Sequence, residues 1–446
     1  MIQSGRIAKV PRRPNLHNFF YLIGSGLVIQ MLGTAYRIWL ASRIGPAGLG
    51  IFSMTYPVYR LLSSVATIGL PLALTKWVAE YLSGGEYREI TALKKWSLRT
   101  VFSLSLAAAL ILYLGASCLS THLFNEPRVK EPLIIIALAI PFSAISAIYR
   151  GFFQGFSRMA PTALSEITEQ IAEIAIAVIG LTYLTTALPL ATYSYPMVGL
   201  TAGEIVCLAT LLCFRQSPNS SAAAPFHPLT LPHWEILHYS WPLLVNQVVN
   251  SLGNASEGIL IPQLLIRNGH TATTGTQWLG YLNGMAAPLA YFPLIFLFPL
   301  GTVLTPQISS GYKADALPLL RTKVRRFYIA TALISVSCFE FILLAAGWLS
   351  QNLYHSLTPV ALIKILAIGM PFTAFAIINF AILAAIGASG KILTINLWAT
   401  GLKTALLFLC PYFGITGAAW ATTITQIFTA LSGALELRAF FIKLDA

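Results

Sequence analysis

The sequence predicts an all-α polytopic membrane protein with about twelve transmembrane helices, in two six-helix bundles related by a pseudo-twofold axis along the membrane normal. Three observations carry this expectation. Of the 446 residues 56% are apolar and only 10% charged, whereas a soluble protein is roughly 25% charged. The apolar residues gather into twelve runs, each long enough to approach or exceed the ~20 residues that cross a ~30 Å hydrocarbon core. Finally, the two halves echo one another at an offset of 230 residues.

The runs lie at 17–43, 47–82, 98–120, 132–153, 162–188 and 195–214, then at 234–262, 277–310, 326–350, 359–387, 392–411 and 415–440. Short polar or Pro/Gly-rich joints separate them. The longest joint, RQSPNSSAAAPFHPLTLP, is a Ser/Ala/Pro-rich linker too mildly polar and too short to be a folded module. The expected domains are therefore residues 1–214, a cytoplasmic linker at 215–232 and residues 233–446. The repeat supports the division. ALAIPFSAISAI at 137–148 matches AIGMPFTAFAII at 367–378, and the same offset pairs Gly50 with Gly280, Leu70 with Leu300 and Thr75 with Thr305. Six spans per half is an even number, so both halves enter from one side, as in transporters whose site lies between two rocking bundles.

Charge orients the chain. The N-terminal segment carries Arg6, Lys9, Arg12 and Arg13, but the apolar run after it is too long for a secretory signal and lacks a small-residue cleavage pattern. With that end inside, nineteen basic residues fall in inner joints and four in outer ones. This positive-inside bias explains most of the net charge of +13 without a nucleic-acid partner and puts both termini in the cytoplasm.

Two runs are too long for the bilayer and carry helix breakers. The second contains Gly69 and Pro71, and the eighth contains Pro288, Pro293, Pro299 and Pro306. An interior proline costs ~3 kcal/mol unless neighbours or water satisfy the freed carbonyl. Broken helices at matching positions of two repeats point to a central cavity, with Gly69, Pro71, Pro288 and Pro299 as hinges. Proline enrichment is also a general property of membrane helices.

Arg60 sits within the second run, where an arginine costs at least ~2.5 kcal/mol to insert and usually faces a bundle interior or water. Arg37, nearer the outer interface, belongs with it or snorkels. Lys76 and Glu80 are four apart near the inner surface and read as a solvated pair. A second polar concentration comprises Arg150, Gln154, Glu166, Glu169, Gln170 and Glu173, the last four at helical three- and four-residue steps. That stripe could bind a coupling cation, Na+ or H+, or neutralise Arg60 and Arg150 structurally. Glu204, Glu257, Glu340, Lys364 and Lys403 are further ionisable groups in oily surroundings.

Several motifs carry no chemistry. GASGK at 387–391 lacks the first glycine and the hydroxyl residue of a phosphate-binding loop. GFFQG, GLTAG and GYLNG have glycines four apart, a spacing that lets helices approach closely. The five cysteines and seven histidines show no paired or ligand spacing, so no metal, cofactor or disulfide is expected, and no nucleophile, base and acid come together as an enzyme would need.

The segments YRIWLASRIGPAGLGIFSMTYPVYRLLSSVATIGLPLALTKWVAEY (36–81) and IYRGFFQGFSRMAPTALSEITEQIAEI (148–174) resemble the stage V sporulation protein B group of polysaccharide-type flippases. Their superfamily includes lipid II flippases, O-antigen flippases and multidrug and toxin extrusion antiporters. The resemblance implies a two-bundle transporter that moves polyprenyl-diphosphate-linked sugars across the cytoplasmic membrane, in some members for peptidoglycan synthesis during sporulation. The chain departs from these relatives in having room for twelve spans rather than fourteen, and in placing Gln30 where they often have Arg. In this reading Arg60, Arg37 and Arg150 meet the diphosphate by charge-assisted bidentate hydrogen bonds, while Gln154, Gln170, Asn246, Gln247 and Asn250 meet the sugar. Glu169, Glu173 and Glu257 are the coupling-ion candidates. The alternatives are a cation-coupled exporter of amphipathic drugs and a non-transporting scaffold for wall-synthesis enzymes. The expected partners are thus a lipid-linked sugar, membrane lipids and a coupling cation.

Overall fold

The computed structural model describes residues 16–185, 190–214, 232–297, 308 and 317–445. Among them there is no strand. The first half consists of α1 (Leu16–Thr67), α2 (Leu70–Gly84), α3 (Tyr87–Cys118), α4 (Lys130–Gly155), α5 (Met159–Ile179) and α6 (Tyr195–Cys213). The second half consists of α7 (His233–Arg267), α8 (Ala272–Leu279), α9 (Ala287–Tyr291), α10 (Leu317–Tyr354), α11 (Val360–Ala385), α12 (Ser389–Leu407), α13 (Cys410–Phe413) and α14 (Ile415–Asp445). Each of the twelve apolar runs coincides with a helix or a short chain of helices. The 215–231 part of the linker, Pro299 and the rest of the eighth run lie outside the described residues.

By length and composition alone, seven helical stretches among the described residues could each cross a membrane. The first, Gly24–Gly84, contains two of the predicted runs, because a single residue with positive φ, Gly45 (φ 65°), separates them. Of the others, α7 is interrupted by amides, and the eighth run is a succession of short α, π and 3-10 segments.

The second run is broken cleanly rather than kinked. Ile68 (φ 49°) and Gly69 (φ 66°) are left-handed, and Pro71 follows in the first turn of α2, where a missing N–H costs no helical hydrogen bond. The expected proline penalty is thereby avoided. A Cβ on Gly69 would lie 2.6 Å from the Ser240 carbonyl of α7, so the break is also a close contact between the halves.

Each bundle is held by small residues at its helix crossings. Gly151 and Gly155 of GFFQG bring α4 onto α2, and Gly199 and Gly203 of GLTAG bring α6 onto α5. The third motif, GYLNG, lies between the halves. A Cβ on Gly280 would stand 1.8 Å from the Pro46 carbonyl oxygen, and one on Gly50 would stand 1.9 Å from that of Thr276. Pro46 and Thr276, like Gly50 and Gly280, are 230 residues apart, so the contact is reciprocal under the sequence repeat and marks where the pseudo-twofold axis passes.

Beside this crossing, Thr276 Oγ1 donates to Glu126 Oε2 at 3.0 Å, and Arg128 grips the same carboxylate with two 2.7 Å hydrogen bonds. Gln263 Nε2 donates to the Leu123 carbonyl at 2.6 Å, a second tie from α7 to the first half. Glu126, between two spans, is buried, which alone would raise its pKa; the hydrogen bonds from Arg128 and Thr276 and the Arg128 charge overcome this and hold it below the ordinary glutamate value.

Two outcomes are expected. Gly280→Ala and Gly50→Ala should each destabilise the detergent-solubilised protein by ~1–3 kcal/mol through overpacking, whereas Gly401→Ala, where nothing lies within 4 Å, should not; thermal unfolding of the three variants checks this. Because the Glu126 pKa is lowered on folding, its stabilisation is complete above the ordinary glutamate pKa and fades as pH falls through the lowered value. Unfolding midpoints measured from about pH 7 to about pH 3 should thus fall more steeply for the parent chain than for Glu126→Gln.

A polar cavity between the two halves

The principal cavity, about 800 Å³, lies between α1, α5 and α6 of the first half and α7, α9, α11, α14 and the Gly280–Ala286 turn of the second. Its floor plan follows from the crossing just described. Gly50 and Gly280 bring the two central helical segments into backbone contact beside the cavity, and Gly69 meets Ser240 of α7 further along.

Arg37 and Arg60 both line this cavity, and both are exposed to it. They come from the two arms of α1, on either side of the Gly45 break. Neither makes a salt bridge or a side-chain hydrogen bond with another described residue; the described ion pairs are Lys76–Glu80, Arg128–Glu126, Arg150–Glu169, Lys391–Glu436 and Lys403–Glu257. Two guanidiniums, neither engaged in a salt bridge or side-chain hydrogen bond, thus face a polar chamber that Glu169, Glu173 and Glu204 also line, and their planar forks suit a phosphate or carboxylate ligand.

Arg150 is placed differently. It does not line the cavity but sits behind its wall, donating to Glu169 Oε2 at 3.2 Å and to Cys207 Sγ at 3.7 Å. Glu204, brought next to Glu169 by the glycine packing of α6 on α5, accepts a hydrogen bond from Tyr59. The ligand atoms of Glu169, Glu204 and Cys207 lie within 4.8 Å of one another, but the Arg150 guanidinium already contacts two of them. Arg150 thus acts as the counter-ion of a wall-stiffening network.

The remaining predicted residues divide in the same way. Glu169, Gln170, Glu173, Gln247, Asn250, Glu257 and the hinge residue Pro288 line the cavity, with Gln170 donating to Glu173 at 3.3 Å. Gln154 is not among the lining residues, and Asn246 accepts a 2.8 Å hydrogen bond from Asn396 of α12. Glu257 is paired: Lys403 Nζ lies 2.8 Å from Oε1, Thr422 donates to the same oxygen at 3.2 Å, and Asn283 donates to Oε2 at 3.0 Å. The protein itself supplies the cation at this carboxylate.

Sequence reasoning did not single out Tyr59, Asn254, Asn283 or Gln426, all of which line the chamber. Asn254 was recoverable, since Gln247, Asn250, Asn254 and Glu257 follow helical three- and four-residue steps. The Lys403–Glu257 pairing had no such signal, because its partners are 146 residues apart on helices whose rotation the apolar sequence does not fix.

The helices and cavity define a multi-pass, two-bundle membrane transporter, and the comparisons agree. Residues 15–311 match the profile of the family described as Polysaccharide biosynthesis protein, and the chain belongs to that family. It is 27% identical over 424 residues to stage V sporulation protein B of Bacillus subtilis, covering 92% of this chain and 81% of that protein. It is also 24% identical to the lipid II flippase MurJ of the same organism, covering 95% and 82%. In fold it is similar to a multidrug resistance MATE family transporter of the MOP superfamily, in a structure described as inward-facing, with TM-score 0.77, 16% identity and 95% and 99% coverage. It is similar also to a MOP superfamily transporter from Pyrococcus furiosus, with TM-score 0.70, 14% identity and full coverage of both chains. Three of these four are named as a flippase or as transporters.

The buried pair gives a test of its own. Lys403→Leu should destabilise the protein by ~3–5 kcal/mol because it strands the Glu257 charge. The double variant Lys403→Leu/Glu257→Leu should recover much of that loss, as read by thermal unfolding in detergent.

Proposed function

We propose that this protein is a flippase that carries a polyprenyl-diphosphate-linked cell-wall precursor across the cytoplasmic membrane by alternating access of the inter-bundle cavity. The observation that carries the reading is the pair of cavity-facing guanidiniums, Arg37 and Arg60, without carboxylate partners among the described residues. A diphosphate offers the delocalised negative charge and paired oxygens that suit them. A sugar head group stripped of water would lose roughly 2–7 kcal/mol for each unpaired polar group, and a hydrated chamber removes most of that barrier. The similarity to stage V sporulation protein B and to the lipid II flippase MurJ supports the same substrate class and a role in wall synthesis or sporulation. Gly69, Pro71 and Pro288 sit at breaks where the bundles meet or enclose the cavity, positions suited to hinge motion, and Pro299 completes this expected set. Both termini are assigned to the cytoplasm on the distribution of basic residues.

One observation favours a second reading. Glu169, Glu173 and Glu204 line the same chamber, as expected of a Na+- or H+-coupled drug exporter. The same coupling would also serve a flippase, and Glu257 is the weaker candidate because Lys403 already occupies it. A scaffold without transport remains a third outcome of the test.

Purified protein in vesicles, assayed with labelled lipid II beside a cationic dye, discriminates among the three. Arg60→Ala should lower lipid II translocation by about tenfold to a hundredfold, the equivalent of one or two lost charge-assisted hydrogen bonds, with insertion unchanged. Unaltered translocation would remove Arg60 from the mechanism. Dye transport that requires Glu169, with no movement of lipid II, would favour the exporter, and a chain that moves neither would favour the scaffold.

A further inference from the structure

The two walls of the cavity differ chemically. The first-half wall presents Arg37, Arg60, Glu169, Glu173 and Glu204 beside two amides, Gln30 and Gln170. The second-half wall presents amides, and its one carboxylate, Glu257, is neutralised by Lys403. Gln247, Asn250 and Asn254 are exposed to the cavity and lie on one face of α7, spaced by three and then four residues. Seven residues of helix rise about 10 Å, so these amides form a column rather than a point.

None of the three makes a hydrogen bond to another described residue. Their neighbours behave otherwise. Asn246, one residue before the column, is tied to Asn396, and Asn283, on the same wall, is tied to Glu257. The polar side chains near the column are thus committed to the fold, while the column itself is free to bind.

We propose that the Gln247–Asn250–Asn254 face of α7 is the subsite for an uncharged, polyhydroxylated glycan, with the anionic linkage held opposite at Arg37 and Arg60. This inference rests on the flippase reading above and assigns the two parts of its substrate to different halves of the molecule. Each primary amide offers two donors and an acceptor, a mixture that matches sugar hydroxyls and N-acetyl groups, which also donate and accept. A cation finds no unneutralised charge on this wall, and an apolar ligand would cover three amides without replacing the water bonded to them.

The test compares two probes in detergent micelles, undecaprenyl diphosphate and the same lipid carrying an N-acetylhexosamine disaccharide, with affinities read by native mass spectrometry. The parent chain should bind the glycosylated probe more tightly. Asn250→Leu/Asn254→Leu should lose about tenfold or more in affinity for that probe, the loss expected from one or more hydrogen bonds, and should keep its affinity for undecaprenyl diphosphate. Asn250→Gln should retain most of the preference. Arg60→Ala should weaken both probes together. Retained diphosphate binding shows that the leucine variant is folded, so its loss of sugar preference could not be ascribed to unfolding. If the leucine variant keeps the full preference, or the parent shows none, the glycan subsite is wrong while the flippase reading stands. If the parent binds neither probe, that reading falls and takes the subsite with it. A leucine variant that fails to fold is replaced by Asn254→Ala alone, with the same two outcomes.

Discussion

The arrangement depends on the cost of holding two unpaired guanidiniums at membrane depth. An arginine near the bilayer centre is tolerated where it reaches water or protein polar groups rather than acyl chains. Arg37 and Arg60 satisfy that condition by projecting from the two arms of α1 into one polar chamber. The two arms lie on either side of the Gly45 break, and both halves of the molecule line the chamber they enter. The small-residue contacts, the helix breaks and the buried ion pairs can all be understood as means of keeping that chamber open within an apolar protein.

At the Gly50–Gly280 crossing the halves meet through backbone rather than through long side chains. The reciprocal contacts of Gly50 with Thr276 and of Gly280 with Pro46 leave no room for a Cβ on either glycine. In a membrane, where lipid tails are as apolar as leucine, close packing and interhelical hydrogen bonds have to provide the association that water would otherwise drive. The Thr276–Glu126 and Gln263–Leu123 hydrogen bonds supply polar ties beside that packing. Elsewhere the halves meet through side chains, Trp77 edge-on to Tyr239 and Trp96 against His233.

Much of this architecture was legible in the sequence, and for identifiable reasons. Apolar runs of membrane length specify spans because the bilayer forbids unsatisfied backbone, and the 230-residue repeat was visible in pairs such as Gly50 and Gly280, although not the contact those glycines make. The expense of placing an arginine in lipid pointed Arg60 to a cavity, while Arg37 and the Glu169–Gln170 stripe were open between two settings that the structure distinguishes. What stayed hidden was helix rotation. In α7, Asn246 and Gln247 are adjacent and chemically alike, yet one faces α12 and the other the chamber. Arg150 resembles Arg60 in sequence setting but is committed to Glu169. Binary patterning separates polar from apolar faces; it does not separate two polar environments, and these residues differ only in which of the two they enter.

The pseudo-symmetry of the scaffold makes the asymmetry of its chemistry more informative. The repeat equates the framework of the halves, so a ligand that was itself symmetric or featureless would impose no reason for their cavity walls to differ. They differ in kind. One half exposes two arginines and three carboxylates, with neither arginine in a salt bridge, whereas the other neutralises its carboxylate internally and exposes amides. Using Lys403 rather than a dissolved ion at Glu257 fixes that neutrality, because a tethered cation cannot leave when the surrounding ion concentration falls. A chamber with one charged and one permanently neutral wall is suited to a molecule that is anionic at one end and uncharged but heavily hydrogen-bonding at the other. The orientation of such a molecule would be set before any helix moves, since exchanging its ends would leave both the charge and the hydroxyls facing unsuitable partners.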